Sequence, residues 1–316
     1  MLLLFLLLGF SNAEIPFFAG HLKEENLIEY VNFKQDLFKA SKCNYSEEEK
    51  RARVMSGKFK TVPRPEEVSN EVQWNIKKAI PESFDSRIQW PNCNTIKFIY
   101  DQGQCGSCWS FCSAEVMSDR SCVATSRHIE ISADDVLSCC SDCGNGCGGG
   151  WPMRAFNYWT GSGIVTGGGY NSHRGCKPYQ IAPGGPAMTP ACKQTCESGY
   201  STPYSQDKHF GKGRGYFINN KVALIQKEIM TYGPVTAVFD VYGDFYQYNS
   251  GIYIHTGGSY YGSHCVKVLG WGVDNSVPYW LVANSWGRAW GEDGYFRIRR
   301  GTNECGFESQ MSAAHA

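Results

Sequence analysis

Apolar and charged residues alternate at helical spacing through residues 21–40, HLKEENLIEYVNFKQDLFKA, where Leu22, Leu27, Tyr30, Val31, Lys34, Leu37 and Phe38 mark the register. The pattern predicts an amphipathic helix. The next stretch, SEEEKRARVMSGKF at 46–59, places acidic residues four positions ahead of basic ones, which supports a continued helical unit. TVPRPEEVSN at 61–70 interrupts it with two prolines and reads as a linker. Further on, SCWSFCSAEVMSDRSCVATS at 107–126 has apolar residues at i, i+3 and i+4 with no Gly or Pro, and ISADDVLSCC at 131–140 reads as a second, N-capped helix. From residue 214 the period changes. VTAVFDVY, GIYIHT, HCVKVLGWG, YWLVANSW and GYFRIRR are β-branched and aromatic, punctuated by Gly, and read as strands, with NNKVALIQKEIMTYG at 219–233 a helix among them. A helical half followed by a largely antiparallel β half predicts an α+β fold of two lobes with a cleft between them.

Composition refines this picture. The 316 residues are 42% hydrophobic and 14% aromatic, ample for a packed core. The formal net charge is zero and no long run of like charge occurs, so neither a nucleic acid nor a membrane surface is expected as a partner. MLLLFLLLGFSNA, residues 1–13, is an apolar run ending in small residues at Ser11 and Ala13, and predicts a signal peptide. The run is too short for a bilayer span of about 20 residues. The product is expected in the secretory pathway, either outside the cell or in an acidic vesicle such as the lysosome. Charge and cysteine content then divide the chain: residues 14–80 hold 23 charged residues and one cysteine, Cys43, whereas residues 81–316 hold 37 and fourteen. The boundary falls near Ala79-Ile80-Pro81. The first unit is too small to hold a core alone, so docking on the second is expected. Asn44-Tyr45-Ser46 is an N-glycosylation sequon.

Fifteen cysteines suit an oxidising compartment, and an odd count leaves at least one thiol without an intramolecular partner. DQGQCGSCWSFC at 101–112 concentrates three of them. Cys105 and Cys108 form a C-x-x-C that could pair with CCSDCGNGC at 139–147 around zinc, but disulfides are the expected fate after export, and no metal or cofactor is expected. No βαβ alternation surrounds the motif, which argues against a thioredoxin-like pair. Cys108 opens a predicted helix, where unsatisfied N–H groups and the macrodipole favour a thiolate. A thiolate nucleophile needs a base and a group that orients that base. His264 in SHCVKVLGWG enters a strand in the opposite half, Asn284 in YWLVANSWG ends a neighbouring strand, and Trp286 stands ready to shield an Asn–His hydrogen bond.

QGQCGSCWSF, SHCVKVLGWG and YWLVANSWGRAWGEDGYFRIRRG resemble the three catalytic blocks of papain-like cysteine peptidases, and IPESFDSRIQWPNCNTIKFIYDQG with CCSDCGNGCGGGWP is similar to the cathepsin B branch of that family. The resemblance covers nearly all of residues 80–312. It implies the papain-like two-lobe fold, with a helical left lobe and an antiparallel, β-barrel-like right lobe. It also implies a Cys108–His264–Asn284 catalytic set and an oxyanion donor at Gln102, working on protein and peptide substrates. Residues 14–80 would be an inhibitory propeptide, and cystatin-like inhibitors are expected partners. An inactive binding protein on the same scaffold is the alternative, with transpeptidase use of the same acyl-enzyme further behind.

The same resemblance implies the disulfides Cys93–Cys122, Cys105–Cys147, Cys139–Cys192, Cys140–Cys143 and Cys176–Cys196. Cys43, Cys108, Cys112, Cys265 and Cys305 are left over, and Cys112 and Cys265 are expected to be buried free thiols rather than a bonded pair. It further implies a substrate pocket near Gly149, Gly150, Trp151, Pro152 and Cys265, with Gln310 where the branch carries an acid. A preference for apolar or aromatic side chains two residues before the scissile bond follows. The stretch CKPYQIAPGGPAMTPACKQTC aligns with the branch's occluding loop but is shorter and has no histidine, and Asp101, which would meet one of those histidines, lacks that partner. Dipeptide release is therefore expected to be weak or absent.

Overall fold

The structure, a computed structural model, describes residues 15–60, 79–185, 188–218 and 220–316. The expected signal peptide and the proline-broken linker lie outside them. Residues 15–60 form a small unit with helix α1 (Glu24–Lys34), strand β1 (Phe38–Ala40) and helix α2 (Glu47–Ala52). The single helix expected over 21–40 stops at Lys34 because the Gln35 amide takes over the backbone. Its Oε1 accepts from the N–H groups of Leu37 (2.7 Å) and Phe38 (2.9 Å), which a further turn would have used. Ser46 and Glu49 form a capping box that starts α2. The unit docks as expected: Leu27, Val31, Phe38, Ala40 and Val54 are buried in one apolar cluster with the β lobe.

After β2 (Phe84–Asp85) and α3 (Ser86–Gln89), the left lobe is built on α4 (Cys108–Thr125), flanked by α5 (Ala133–Cys139) and α6 (Pro152–Ser162). Helix α4 is buried from Cys108 through Cys122 on every face. Its serines turn their hydroxyls back on the helix, Ser113 to the Trp109 carbonyl, Ser118 to Ala114 and Ser121 to Met117, each at 2.7 Å. These hydroxyls can thus sit in the core with their protons donated.

The right lobe comprises β3 (Lys212–Phe217), α7 (Val222–Tyr232), β4 (Val235–Tyr242), α8 (Gly243–Tyr246), β5 (Tyr248–Tyr253), β6 (Tyr260–Asp274), β7 (Val277–Ala283), β8 (Tyr295–Arg299) and β9 (Met311–His315). The sheet order is β1-β5-β8-β7-β6-β4-β9-β3, with β2 pairing β6 off this path. It is an open, mixed sheet rather than a closed antiparallel barrel, because β5 and β8 run parallel and the two ends, β1 and β3, do not pair with each other. Strand β6, with β4 on one side and β7 on the other, faces α4 across the junction of the lobes.

That junction holds a buried charge cluster. Lys267 of β6 is fully buried and lies 3.0 Å from both Glu115 and Asp119 of α4, with the Thr95 carbonyl at 3.3 Å. Burial raises the Glu115 carboxyl to about 7 against the opposing pull of Lys267. Replacing Lys267 with Met would leave two carboxyls facing each other without a counter-charge, a loss of about 3–5 kcal/mol at neutral pH. Thermal unfolding should show this deficit shrinking on acidification, since protonation removes the uncompensated charge; a pH-independent deficit would mean that packing rather than charge is at stake.

Candidate active site

Ser107 precedes α4 with non-helical backbone angles, so Cys108 is the first residue of the helix, and it is fully buried. Opposite it, His264 lies on β6 in register with Phe239 of β4. The His264 Nε2 meets Asn284 Oδ1 at 2.7 Å, and the same oxygen accepts the Ser285 N–H at 2.8 Å, which fixes the amide's orientation. His264 Nδ1 has no hydrogen-bond partner among the described residues. Trp286 covers this pair, its ring 4.8 Å from the His264 ring and stacked on Tyr246 at 4.8 Å.

Gln102 is fully buried and held on three sides. Its N–H donates to the Ser285 carbonyl (2.9 Å), its carbonyl accepts from the Tyr179 hydroxyl (2.9 Å), and its Oε1 accepts from the Ser285 hydroxyl (2.6 Å). Nε2 is thereby aimed, and donates to the Cys105 carbonyl at 2.6 Å and the Arg53 carbonyl at 2.9 Å. Neither Ser285 nor Tyr179 is marked by any periodicity in the sequence; each acts only through the fold.

The structure forms the Cys93–Cys122, Cys105–Cys147, Cys139–Cys192, Cys140–Cys143 and Cys176–Cys196 disulfides, and adds a sixth, Cys112–Cys265. The expectation of free thiols at Cys112 and Cys265 is therefore corrected. Cys112 lies one helical turn after Cys108 and Cys265 follows His264, so the packing of α4 on β6 that aligns the two reactive groups also brings these sulfurs together. Cys43, Cys108 and Cys305 remain unbonded.

Residues 53–60 run over these groups. The Arg53 carbonyl lies on Gln102, and the Arg53 guanidinium pairs with Asp101 at 3.0 Å, giving Asp101 a partner that its sequence context did not reveal. Met55 exchanges two backbone hydrogen bonds with Ser263, each 2.9 Å. Phe59 packs edge-on against Trp151 at 4.7 Å. Gly149, at φ 116°, has no room for a Cβ, which would collide with Met55 and Phe59. Gly150 lies as closely against Trp109, Pro152 starts α6, and Gln310 sits half-exposed before β9.

This cover changes the electrostatics. Burial pushes the Cys108 thiol up to about 12 against opposing backbone hydrogen bonds from Cys265, Trp109 and Met55. Burial also lowers His264 to about 4, with the Asn284 hydrogen bond opposing and the Arg53 charge reinforcing it. Both shifts arise from burial, and both work against the charged forms of the two groups in the covered site.

Residues 80–315 match the family model described as papain family cysteine protease. A gut-specific cysteine proteinase of Caenorhabditis elegans is 48% identical over 303 residues, covering 93% of this chain and 91% of that one. Cathepsin B-like cysteine proteinase 1 of Ostertagia ostertagi is 44% identical over 337 residues, covering 99% and 97%. Among solved structures, proCathepsin B S9 from Trypanosoma congolense aligns with a TM-score of 0.78 at 35% identity, covering 92% of this chain and 97% of that one.

Two carboxylates of α2 fasten the cover to the lobes. Glu47 accepts from the Tyr261 hydroxyl of β6 (2.6 Å) and Glu49 from Gln104 (3.2 Å). Burial raises the Glu47 pKa, but hydrogen bonds from Lys50 and Tyr261 outweigh it and leave the group below its usual 4.5. Glu49 is lowered too, mainly by the Ser46 N–H. Groups lowered in the docked state contribute fully above the released-state value of 4.5 and lose that contribution as pH falls through the docked value. In a Cys108→Ala chain, amide exchange over residues 53–60 should accelerate below about pH 4.5 relative to its intrinsic rate, and Glu47→Gln with Glu49→Gln should flatten that dependence. An unchanged profile in the double variant would assign acid release to other groups.

Proposed function

The chain belongs to the papain family of cysteine proteases, and we propose from this premise that it is the zymogen of a cathepsin B-like endopeptidase using Cys108, His264 and Asn284. The observation that carries the reading is the pair of fixed donors and acceptors around Cys108: an imidazole oriented by Asn284 at 2.7 Å and an amide at Gln102 aimed where a carbonyl oxygen already rests. Residues 14–80 act as the inhibitory propeptide, and the signal peptide directs the chain to the secretory pathway, for lysosomal or extracellular use. Cleavage near Ile80-Pro81 removes the propeptide. Water then re-enters the cleft, desolvation of Cys108 and His264 falls, and the helix start favours the thiolate beside an imidazolium.

Attack by the Cys108 sulfur on a peptide carbonyl forms a C–S bond and places negative charge on the carbonyl oxygen. The Gln102 side chain and the Cys108 N–H receive that charge; one such donor lowers the barrier by about 3–4 kcal/mol. His264 gives its proton to the leaving amine, the acyl-enzyme forms, and water attacks it with His264 as base. The carbonyl of Arg53 occupies this oxyanion position in the zymogen, which explains inhibition without cleavage of the propeptide at that bond. Preference for internal bonds rests on the histidine-free loop at 177–195 and on Asp101 being paired with the propeptide rather than with a carboxylate-binding group.

Cys108→Ala should abolish hydrolysis of blocked peptides at pH 5 and labelling by an epoxide inhibitor, while the variant still accumulates as a folded zymogen; residual turnover would remove Cys108 from the mechanism. The processed enzyme should cut an internally quenched peptide with a blocked C-terminus at least as fast as its C-terminally free analogue. Trimming of the free analogue by dipeptides at a comparable rate would reinstate exopeptidase action.

A further inference from the structure

The inference rests on the peptidase reading and concerns which side chains the cleft accepts. Gln310 leaves the pocket two residues before the scissile bond without the acid carried by the cathepsin B branch. Another carboxylate stands nearby. Asp240 lies on β4 two residues beyond Val238, so both side chains leave the same face of the strand; in register Val238 pairs with Cys265 of β6 and Asp240 with Ser263. Val238 and Cys265 are buried together with Met55, a residue of the segment that crosses the cleft, in one apolar cluster. Asp240 is thus at the rim of the pocket whose base is apolar.

This rim is occupied, and the occupant is basic. The Lys60 ammonium, at the end of the segment crossing the cleft, forms an ion pair with Asp240, the two side chains being 23% and 22% exposed. It lies so close to Gly306, in the turn that leads to Gln310, that any side chain at that position would meet it. The Ser263 hydroxyl reaches the other Asp240 oxygen at 3.5 Å. Among the described residues the neighbouring acids already have partners: Asp244 accepts the N–H groups of Thr256 and Gly257, and Glu304 pairs with Arg299. Asp240 therefore loses its cation when the propeptide leaves. A carboxylate four-fifths buried, paired with an ammonium that also packs against Gly306, is a recognition element for a cation.

We propose that Asp240 makes this pocket selective for a Lys or Arg side chain two residues before the scissile bond, the alkyl stem lying over Val238 and the charge reaching the rim. Lys60 is then a substrate mimic for this subsite. Asp240 lies on β4, whereas Gln310 lies in the turn before β9, so the acid comes from a different part of the lobe.

The test uses enzyme processed from the full chain, active-site titrated, with a blocked peptide series varying only that position among Lys, Arg, Leu, Phe and Glu. In the wild type, kcat/KM for Lys or Arg should exceed that for Leu about tenfold. Asp240→Asn should collapse this ratio to near one, and Asp240→Lys should invert it in favour of Glu. A wild-type preference for Leu or Phe over the basic residues, or a basic preference that survives Asp240→Asn, overturns the subsite. Titratable enzyme that cleaves only neutral peptides refutes the subsite while leaving the peptidase reading intact; absence of titration and hydrolysis together refutes both.

Discussion

The contact of α4 with β6 is the constraint on which the active site depends. In the proposed catalysis Cys108 and His264 act together, and they belong to different lobes, so their alignment is set by how the two lobes register. Two interactions on that contact restrict sliding. Lys267 is held by Glu115 and Asp119, which are one turn apart on the helix. Cys112–Cys265 adds a covalent tie spanning 153 residues, one turn from Cys108 and one residue from His264. By the chain-entropy account, closing so long a loop removes about 5 kcal/mol of freedom from the unfolded chain. Translation of the helix along the strand would have to break both, so the catalytic distance is inherited from packing rather than maintained by the catalytic groups.

The covered site also shows how one segment silences a nucleophile by two independent means. Sterically, the Arg53 carbonyl takes the donor that a reacting carbonyl would use. Electrostatically, burial pushes the Cys108 thiol up and His264 down, and both shifts oppose formation of a charged pair. Both effects are exerted by the same segment, residues 53–60.

Much of this was legible from residue order, because the elements that carry it are long or strongly patterned. Helix α4 was foreseen almost to the residue, and β4, β6, β7 and β8 announced themselves through β-branched and aromatic content. The open sheet was not foreseen, since the parallel β5–β8 pair depends on strand order, which no local pattern encodes. Strand β1 was hidden inside an apparent helix because the Gln35 side chain, not the hydrophobic period, ends α1. The Cys112–Cys265 bond was misjudged for a related reason: adjacency to Cys108 and His264 was visible, but the separation of the two sulfurs is a property of the lobe contact. The roles of Arg53 and Lys60 were likewise invisible, as a charge run reads as a solvated face until the fold lays it in a cleft.

Strand β1 has a further consequence. It pairs with β5 through Phe38, Lys39 and Ala40, and so the unit that is to be discarded forms the outermost strand of the catalytic lobe's sheet. Maturation therefore exchanges a finished sheet border for a bare one, with the backbone of residues 248–251 turned to solvent. That border is short and ends at Gly251, whose φ of 99° bends it away from straight extension, which limits what another chain could add to it. While residues 15–60 are in place, β1 is in this sense a seam that closes the sheet's edge against other chains.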